Sequence, residues 1–406
     1  LEHFKNAAAR AKRSWKKMMT SNLKQRLDFL ASTGAVPKRQ QVKHDISEQI
    51  HAETYHCGRG SFLLKKVVYP YGVVYGNYRI AKQENYRDAV FIDTETTGLG
   101  AASYPFLVGV GYYTDSGFAV QQLFMRDLDD EPAVMEYLLE LCEDRVVISY
   151  NGKCFDIPLI HSRLALNDMK SKTFAAEQVD LLHRCRRIWR KRLESCSLSS
   201  IESNILGFHR EGDIPGSIIP EMYKAYLNTG SSQEIVKIIQ HNEWDIVSMA
   251  VLIDRLSAIE KVPEKELENP YDLLHYGEWC YYKKDYSTAK QCFFALCHQK
   301  TNPYTLYKAM KYLSLLHKMD GEWEQAVRIW SKMEKFNMGL IFPYIEKAKY
   351  YEHITKEIDL AYLCALKAKE CVIKNRQRQY DAEVQHRIQR LKKKLSNKTR
   401  EEGRLI

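Results

Sequence analysis

The stretch Phe91-Ile-Asp-Thr-Glu-Thr-Thr-Gly98 follows Ala89-Val90, and the apolar run 89–92 has the length and composition of a strand buried at the centre of a sheet. Asp93 and Glu95 stand two residues apart at its end, so the strand period puts both carboxylates on one side, with Phe91 and Ile92 anchoring them from below. Two carboxylates that close repel unless a cation joins them; an exposed acidic turn is the plain alternative for Asp-x-Glu alone. Upstream, 62–78 is β-rich and punctuated by Pro70 and Gly72. Downstream, 106–113 and 118–124 read as a hairpin turning at Thr114-Asp-Ser-Gly117, 132–142 as an amphipathic helix with Pro132 in its first turn, and 146–150 as a second buried strand. Helical patterns then dominate at 180–193, 198–206 and 233–259, broken by Gly212-Asp-Ile-Pro-Gly216. Strands first and helices afterwards predict an α/β unit, a mixed sheet flanked by helices.

More acids accompany the first pair. Asn151-Gly-Lys-Cys-Phe-Asp156 places a third carboxylate just past the second buried strand. Asp245 lies inside the long helix, where aspartate has poor propensity, and His241 lies four residues earlier on the same face. The runs 91–98, 149–156 (Ser-Tyr-Asn-Gly-Lys-Cys-Phe-Asp) and 241–245 (His-Asn-Glu-Trp-Asp) resemble, in order and spacing, the three motifs of DEDD exonucleases with a ribonuclease-H-like fold. The chain is most similar to the YprB-like branch, which joins that domain to helical repeats and includes the mitomycin-repair exonuclease. Ser195-Cys-Ser-Leu, Ile201-Glu202, Leu206-Gly207, Arg210 and Asp213-Ile-Pro-Gly216 resemble that branch's connecting segment. One departure is the spacing of His241: in the histidine subclass the base lies five residues before the last aspartate, whereas here it lies four before, as in the tyrosine subclass.

The resemblance implies a 3′-to-5′ exonuclease acting on DNA in repair, with RNA cleavage or a non-catalytic adaptor carrying a relic nuclease fold as alternatives. Phosphodiester hydrolysis needs a nucleophilic water and a stabilised leaving oxygen, tasks that two divalent ions about 4 Å apart can share. Oxygen ligands favour Mg²⁺ or Mn²⁺. Asp93 is then the expected bridging ligand, Glu95, Asp156 and Asp245 complete the metal set, and His241 is the expected general base. Asn151 and Lys153 are candidates for substrate contact, as are Arg186 and Arg187 in the basic run 184–192, although a solvated face with Trp189 and Leu193 inward explains that run as well.

Beyond Tyr271 the segments around Ala289, Ala326 and Ala361 align at separations of 37 and 35 residues. That period resembles a degenerate tetratricopeptide array, an all-α repeat domain over 271–375 expected to recruit a protein, a helicase being the first partner to try. The charged, two-proline stretch 262–270 is the expected boundary with a nuclease domain at 55–262. The net charge of +10 is concentrated at the ends, +7 in 1–50 and +7 in 371–406, leaving −4 between them. A basic extension (1–54) and a basic tail (376–406) follow, with Lys12, Arg13, Lys16, Lys17 and Lys392, Lys393, Lys394 as candidate phosphate contacts. No apolar run reaches bilayer length, and ten scattered cysteines without a Cys-x-x-Cys pair fit a reducing compartment, so a cytoplasmic protein without membrane contact is expected. Beginning at Leu1 rather than Met, the chain reads as a trimmed piece, so any native targeting signal is not expected to be found in it.

Overall fold

The computed structural model describes residues 46–402 apart from 99, 101, 170–173, 336–339 and 377. The candidate phosphate contacts at Lys12, Arg13, Lys16 and Lys17 lie outside the described residues. Seven strands form one mixed sheet: β1 (Glu53–Cys57), β2 (Gly60–Pro70), β5 (Val90–Thr96), β6 (Pro105–Tyr113), β7 (Gly117–Phe124), β8 (Val147–Ser149) and β9 (Gln178–Asp180). Their order is β1-β2-β7-β6-β5-β8-β9, and a separate hairpin pairs β3 (Val74–Tyr75) with β4 (Tyr78–Arg79). The meander from β5 to β7 is antiparallel, while β8 and β9 join β5 in parallel. The sheet begins two residues before the expected start at 55, and Ile46 and Ile50 are already buried in its core.

Helices α1 (Glu131–Cys142), α2 (Asp156–Leu166), α3 (Leu181–Trp189), α4 (Ile219–Thr229) and α5 (Gln233–Lys261) cover the sheet. Alternation along β5 divides two apolar layers: Val90 and Ile92 pack with α1, α2 and α4, whereas Phe91 packs with α3 and the C-terminal half of α5. Asp93 and Glu95 continue the Phe91 side, the side that α5 crosses. The crossing is close because Gly109 on β6 is the register partner of Asp93, and a Cβ there would lie 2.4 Å from Asn242 Oδ1 and 2.9 Å from Ile246 Cγ1. Gly109→Ala is therefore expected to push α5 off the sheet and lower stability by about 1–3 kcal/mol, measured by urea unfolding. An unchanged midpoint would mean that the helix has slack at this point.

The second half is helical: α6 (Pro270–Tyr282), α7 (Tyr286–His298), α8 (Pro303–Met319), α9 (Trp323–Glu334), α10 (Phe342–His353), α11 (Ile358–Lys374) and α12 (Asp381–Glu402). Ala289, Ala326 and Ala361, the residues that set the repeat period, are completely buried one each on α7, α9 and α11. Small side chains at those points let successive helices approach closely, which is why the period is visible in sequence.

The structure adds detail at two places singled out by charge. At the expected boundary 262–270 the turn Pro263–Glu266 packs on α5, Leu267 is buried, and Arg255 hydrogen-bonds Glu266. One apolar cluster runs unbroken from Phe91 and Ile148 in the sheet through Trp189 and Leu256 to Leu273, Phe293 and Leu316. Charge and proline content report solvent exposure of side chains, not independence of the segments they join. Residues 376–406 include α12, whose Val384, Ile388 and Leu391 are buried against Ile345, Ala361 and Ala368. Arg390 and Lys394 both bond the Glu352 carboxylate, at 2.6 and 2.8 Å, so part of this charge holds a helix in place, while Lys392 and Lys393 are exposed. No described helix is long and apolar enough to cross a membrane.

Candidate active site

The site forms where β5, the loop after β8 and α5 meet. On that loop Asn151 adopts a left-handed conformation with φ 65°, and its N–H donates to Asp180 Oδ1 at 2.9 Å. Asp180 also caps α3 through Leu182 N at 3.0 Å, so β9 fixes the loop. Gly152 is required by space: a Cβ would lie 2.5 Å from Ser149 Oγ and 2.9 Å from Asp156 Oδ2. The turn thereby brings Asp156, the first residue of α2, to β5, where Oδ1 accepts from Thr94 N at 3.1 Å and from the Thr94 hydroxyl.

The other two aspartates are gripped in a similar way. Asn242 Nδ2 donates to Asp93 Oδ2 at 2.9 Å, and its orientation is set because Gln122 Nε2 donates to Asn242 Oδ1 at 2.9 Å and to Ile239 O at 2.7 Å. Arg210 NH2 donates to Asp245 Oδ1. One oxygen of each aspartate is thus fixed by a protein donor, the arrangement by which outer residues orient metal-binding carboxylates. Glu95, His241 and Asp245 offer donor atoms that all lie within 4.8 Å of one another, with His241 Nε2 3.6 Å from Asp245 Oδ2 and 3.9 Å from Glu95 Oε1.

The electrostatics are those of crowded anions that Arg210 offsets only in part. Burial, then the charges of Asp245 and Asp156, hold Asp93 well above the usual carboxylate range. Burial, then Asp93 and Asp245, do the same to Glu95. Burial pushes Asp156 up to about 6 against the opposing hydrogen bonds from Thr94. An all-oxygen acid set with this repulsion, supplemented by one imidazole, fits a hard divalent cation.

The structure brings Asp93, Glu95, Asp156, His241 and Asp245 together, with Asn151 and exposed Lys153 on the adjoining loop. The basic run behaves differently. The Arg187 guanidinium lies 4.9 Å from the Trp279 ring centroid, Arg184 pairs with Glu260 at 2.6 Å, and Arg192 pairs with Asp272 at 2.8 Å. These side chains bind α5 and α6, while Arg186 stays exposed. Reading the sequence missed Thr94 and Asn242, and it gave no role to Glu202, Arg210 and Asp213. Arg210 makes two bonds to Glu202, at 2.8 and 2.6 Å, and approaches Asp213 Oδ2 at 3.3 Å. Only the polarity of Asn242 on an otherwise apolar helix face could have drawn attention to it.

Residues 90–257, the span containing all these acids, match the family model RNase_H_2 of the RNase H superfamily. The chain is also 30% identical over 332 residues, 78% of its own length and 77% of the relative's, to "Uncharacterized protein YprB" of Bacillus subtilis (strain 168). The chain belongs to the YprB family. Its sheet is that family's RNase H-like domain, a nuclease-type hydrolase unit, and the YprB-family chain continues it directly into the helical half.

Proposed function

We propose that this YprB-family protein is a metal-dependent 3′-to-5′ exonuclease acting on DNA in repair. The observation that carries the reading is the set of four convergent carboxylates, three of them with raised proton affinity, on a sheet of the RNase H class. Burying crowded acids is expensive, and a relic adaptor has no physical reason to keep four of them together with a protein donor aimed at each aspartate. Polarity, preference for DNA and the repair role rest on the resemblance of the three motifs to DEDD exonucleases. The helix pairs resemble tetratricopeptide repeats, and on this reading their concave side receives a protein partner.

Asp93, Glu95, Asp156 and Asp245 would hold two Mg²⁺ or Mn²⁺ ions, which when bound supply Lewis-acid activation of water and of the leaving oxygen. His241 Nε2 takes one proton from the attacking water, the hydroxide oxygen bonds to phosphorus, and the P–O3′ bond breaks to release a nucleoside 5′-monophosphate while the leaving 3′-oxygen takes up a proton from solvent. Asn151 and Lys153, on the loop entering Asp156, are placed to contact the terminal nucleotide. Cleavage of sequence-matched DNA and RNA strands tests the substrate class; faster loss of RNA would replace DNA by RNA in the proposal.

A pH dependence follows. An acid whose folded pKa is raised stabilises the fold below its unfolded pKa and loses that contribution as pH rises through the folded value. For Asp156 the window runs from 3.8 to about 6. Metal-free protein should therefore lose melting temperature across that window, and Mn²⁺ affinity should rise across it as protons are displaced. Calorimetry in buffers of differing ionisation enthalpy checks this: proton release on Mn²⁺ binding near pH 5 is expected, and proton-neutral binding would contradict the metal assignment.

A further inference from the structure

Asp213 and Arg210 lie on the segment between the turn after Leu206 and α4, and neither belongs to the four-acid set. His241 Nδ1 is 2.6 Å from Asp213 Oδ1 and 3.3 Å from Arg210 NH1. Arginine has only donors and carboxylate only acceptors, so the two contacts ask for opposite states of Nδ1. The shorter, charge-assisted contact decides between them: Nδ1 carries a proton and donates it to Asp213, and the Arg210 approach is a close packing of charge. The other ring nitrogen, Nε2, then faces Asp245 Oδ2 and Glu95 Oε1 at 3.6 and 3.9 Å. Arg210 in turn is buried and held. Its side chain is 6% exposed, it forks onto Glu202, itself 1% exposed, and Glu202 accepts from the Ser248 hydroxyl, which shares a 2.7 Å hydrogen bond with Tyr75 OH. Tyr75 stacks on Phe208 at 4.0 Å, and Gly76 and Asn77 of the hairpin turn fit against Leu206 and Gly207. The bracket around His241 is therefore anchored in the buried core.

We propose that Asp213, held by Arg210, is a positioning residue that keeps the His241 proton on Nδ1 and aims the Nε2 lone pair into the acid cluster. The catalytic meaning of that aim rests on the nuclease reading above; the orientation itself does not. During the water-to-Nε2 proton transfer the Nδ1–H stays on Asp213, which faces the imidazolium that forms.

The test replaces Asp213, which is partly exposed and tolerant of change, by Asn and by Ala in the full chain. An asparagine amide can donate to Nδ1 and so favours the Nε2–H tautomer; alanine removes the lock without inverting it. Nitrogen-15 NMR of the metal-free protein, at a pH high enough for the imidazole to be neutral, should show His241 as the Nδ1–H tautomer in the wild type and as Nε2–H in Asp213→Asn. The turnover number should fall about tenfold to a hundredfold in Asp213→Asn and less in Asp213→Ala, with Mn²⁺ affinity unchanged. A residue that merely supports the fold gives no reason for Asn to be worse than Ala. A wild-type spectrum with the proton on Nε2, or one that Asp213→Asn leaves unaltered, would overturn the proposal whatever the activity. If the expected spectra appear but no nucleic acid is cleaved, the orientation stands and the nuclease reading falls.

Discussion

Asp93→Asn is expected to reduce metal-dependent cleavage by on the order of 10³-fold or more while the metal-free protein melts at the same temperature or higher. Asp93 lies among the other acids, raised by burial and by Asp245 and Asp156. Removing its charge relieves repulsion, opens no cavity because asparagine has nearly the same volume, and leaves the Asn242 amide an oxygen to bond. Losing one ligand to a catalytic ion forfeits several kcal/mol of transition-state stabilisation, which converts to that range of rate. Asp93 is a cleaner probe than Asp245, whose carboxylate also neutralises buried Arg210. Turnover and calorimetric Mn²⁺ binding on the same preparation decide the matter. Near-wild-type turnover would remove Asp93 from the site, and a large fall in melting temperature would make it a structural acid.

Ending the chain after residue 265 is expected to abolish folding of the RNase H-like half, not merely to strip off a recruiting module. Leu267, Leu273 and Leu274 are buried in the cluster that contains Phe91, Trp189 and Leu256. At roughly 2 kcal/mol for each leucine returned to water, these three alone approach the 5–15 kcal/mol that holds a typical domain together. Within the intact chain, Arg192→Ala probes the same interface. It leaves the Asp272 carboxylate, 3% exposed, without the guanidinium that bonds both its oxygens, a loss of about 3 kcal/mol by analogy with broken buried pairs. Urea unfolding measures it. A soluble, cooperatively folding 1–265 fragment together with a neutral Arg192→Ala would show the two halves to be independent.

The difference between these outcomes and the reading from sequence has a physical basis. The strands at 89–92, 106–113 and 118–124 and the long helix were legible because burial on one or both faces leaves a period, and the acids because aspartate inside a helix or after an apolar strand breaks that period. The same logic made the repeat alanines visible. What surrounds the acids was not legible. Thr94 and Asn242 are ordinary polar residues whose roles exist only once the fold brings Asp156 to β5 and Gly109 lets α5 touch β6. Arg210 lies 35 residues from the aspartate it holds, and no local pattern encodes that pairing. Residues 184–192 show the converse: a local charge pattern suggested nucleic acid, yet Arg184, Arg187 and Arg192 face partners on other helices that only the fold supplies.

The most direct test is digestion of one single-stranded DNA, labelled at its 5′ end in one sample and at its 3′ end in another, by the full chain with Mg²⁺, Mn²⁺ or a chelator. The expected result is metal-dependent shortening of the 5′-labelled strand into a ladder, immediate release of label as mononucleotide from the 3′-labelled strand, and no reaction with chelator. Undiminished cleavage in chelator, or no cleavage of DNA or of the matched RNA with either ion, would contradict a metal-dependent nuclease built on Asp93, Glu95, Asp156 and Asp245.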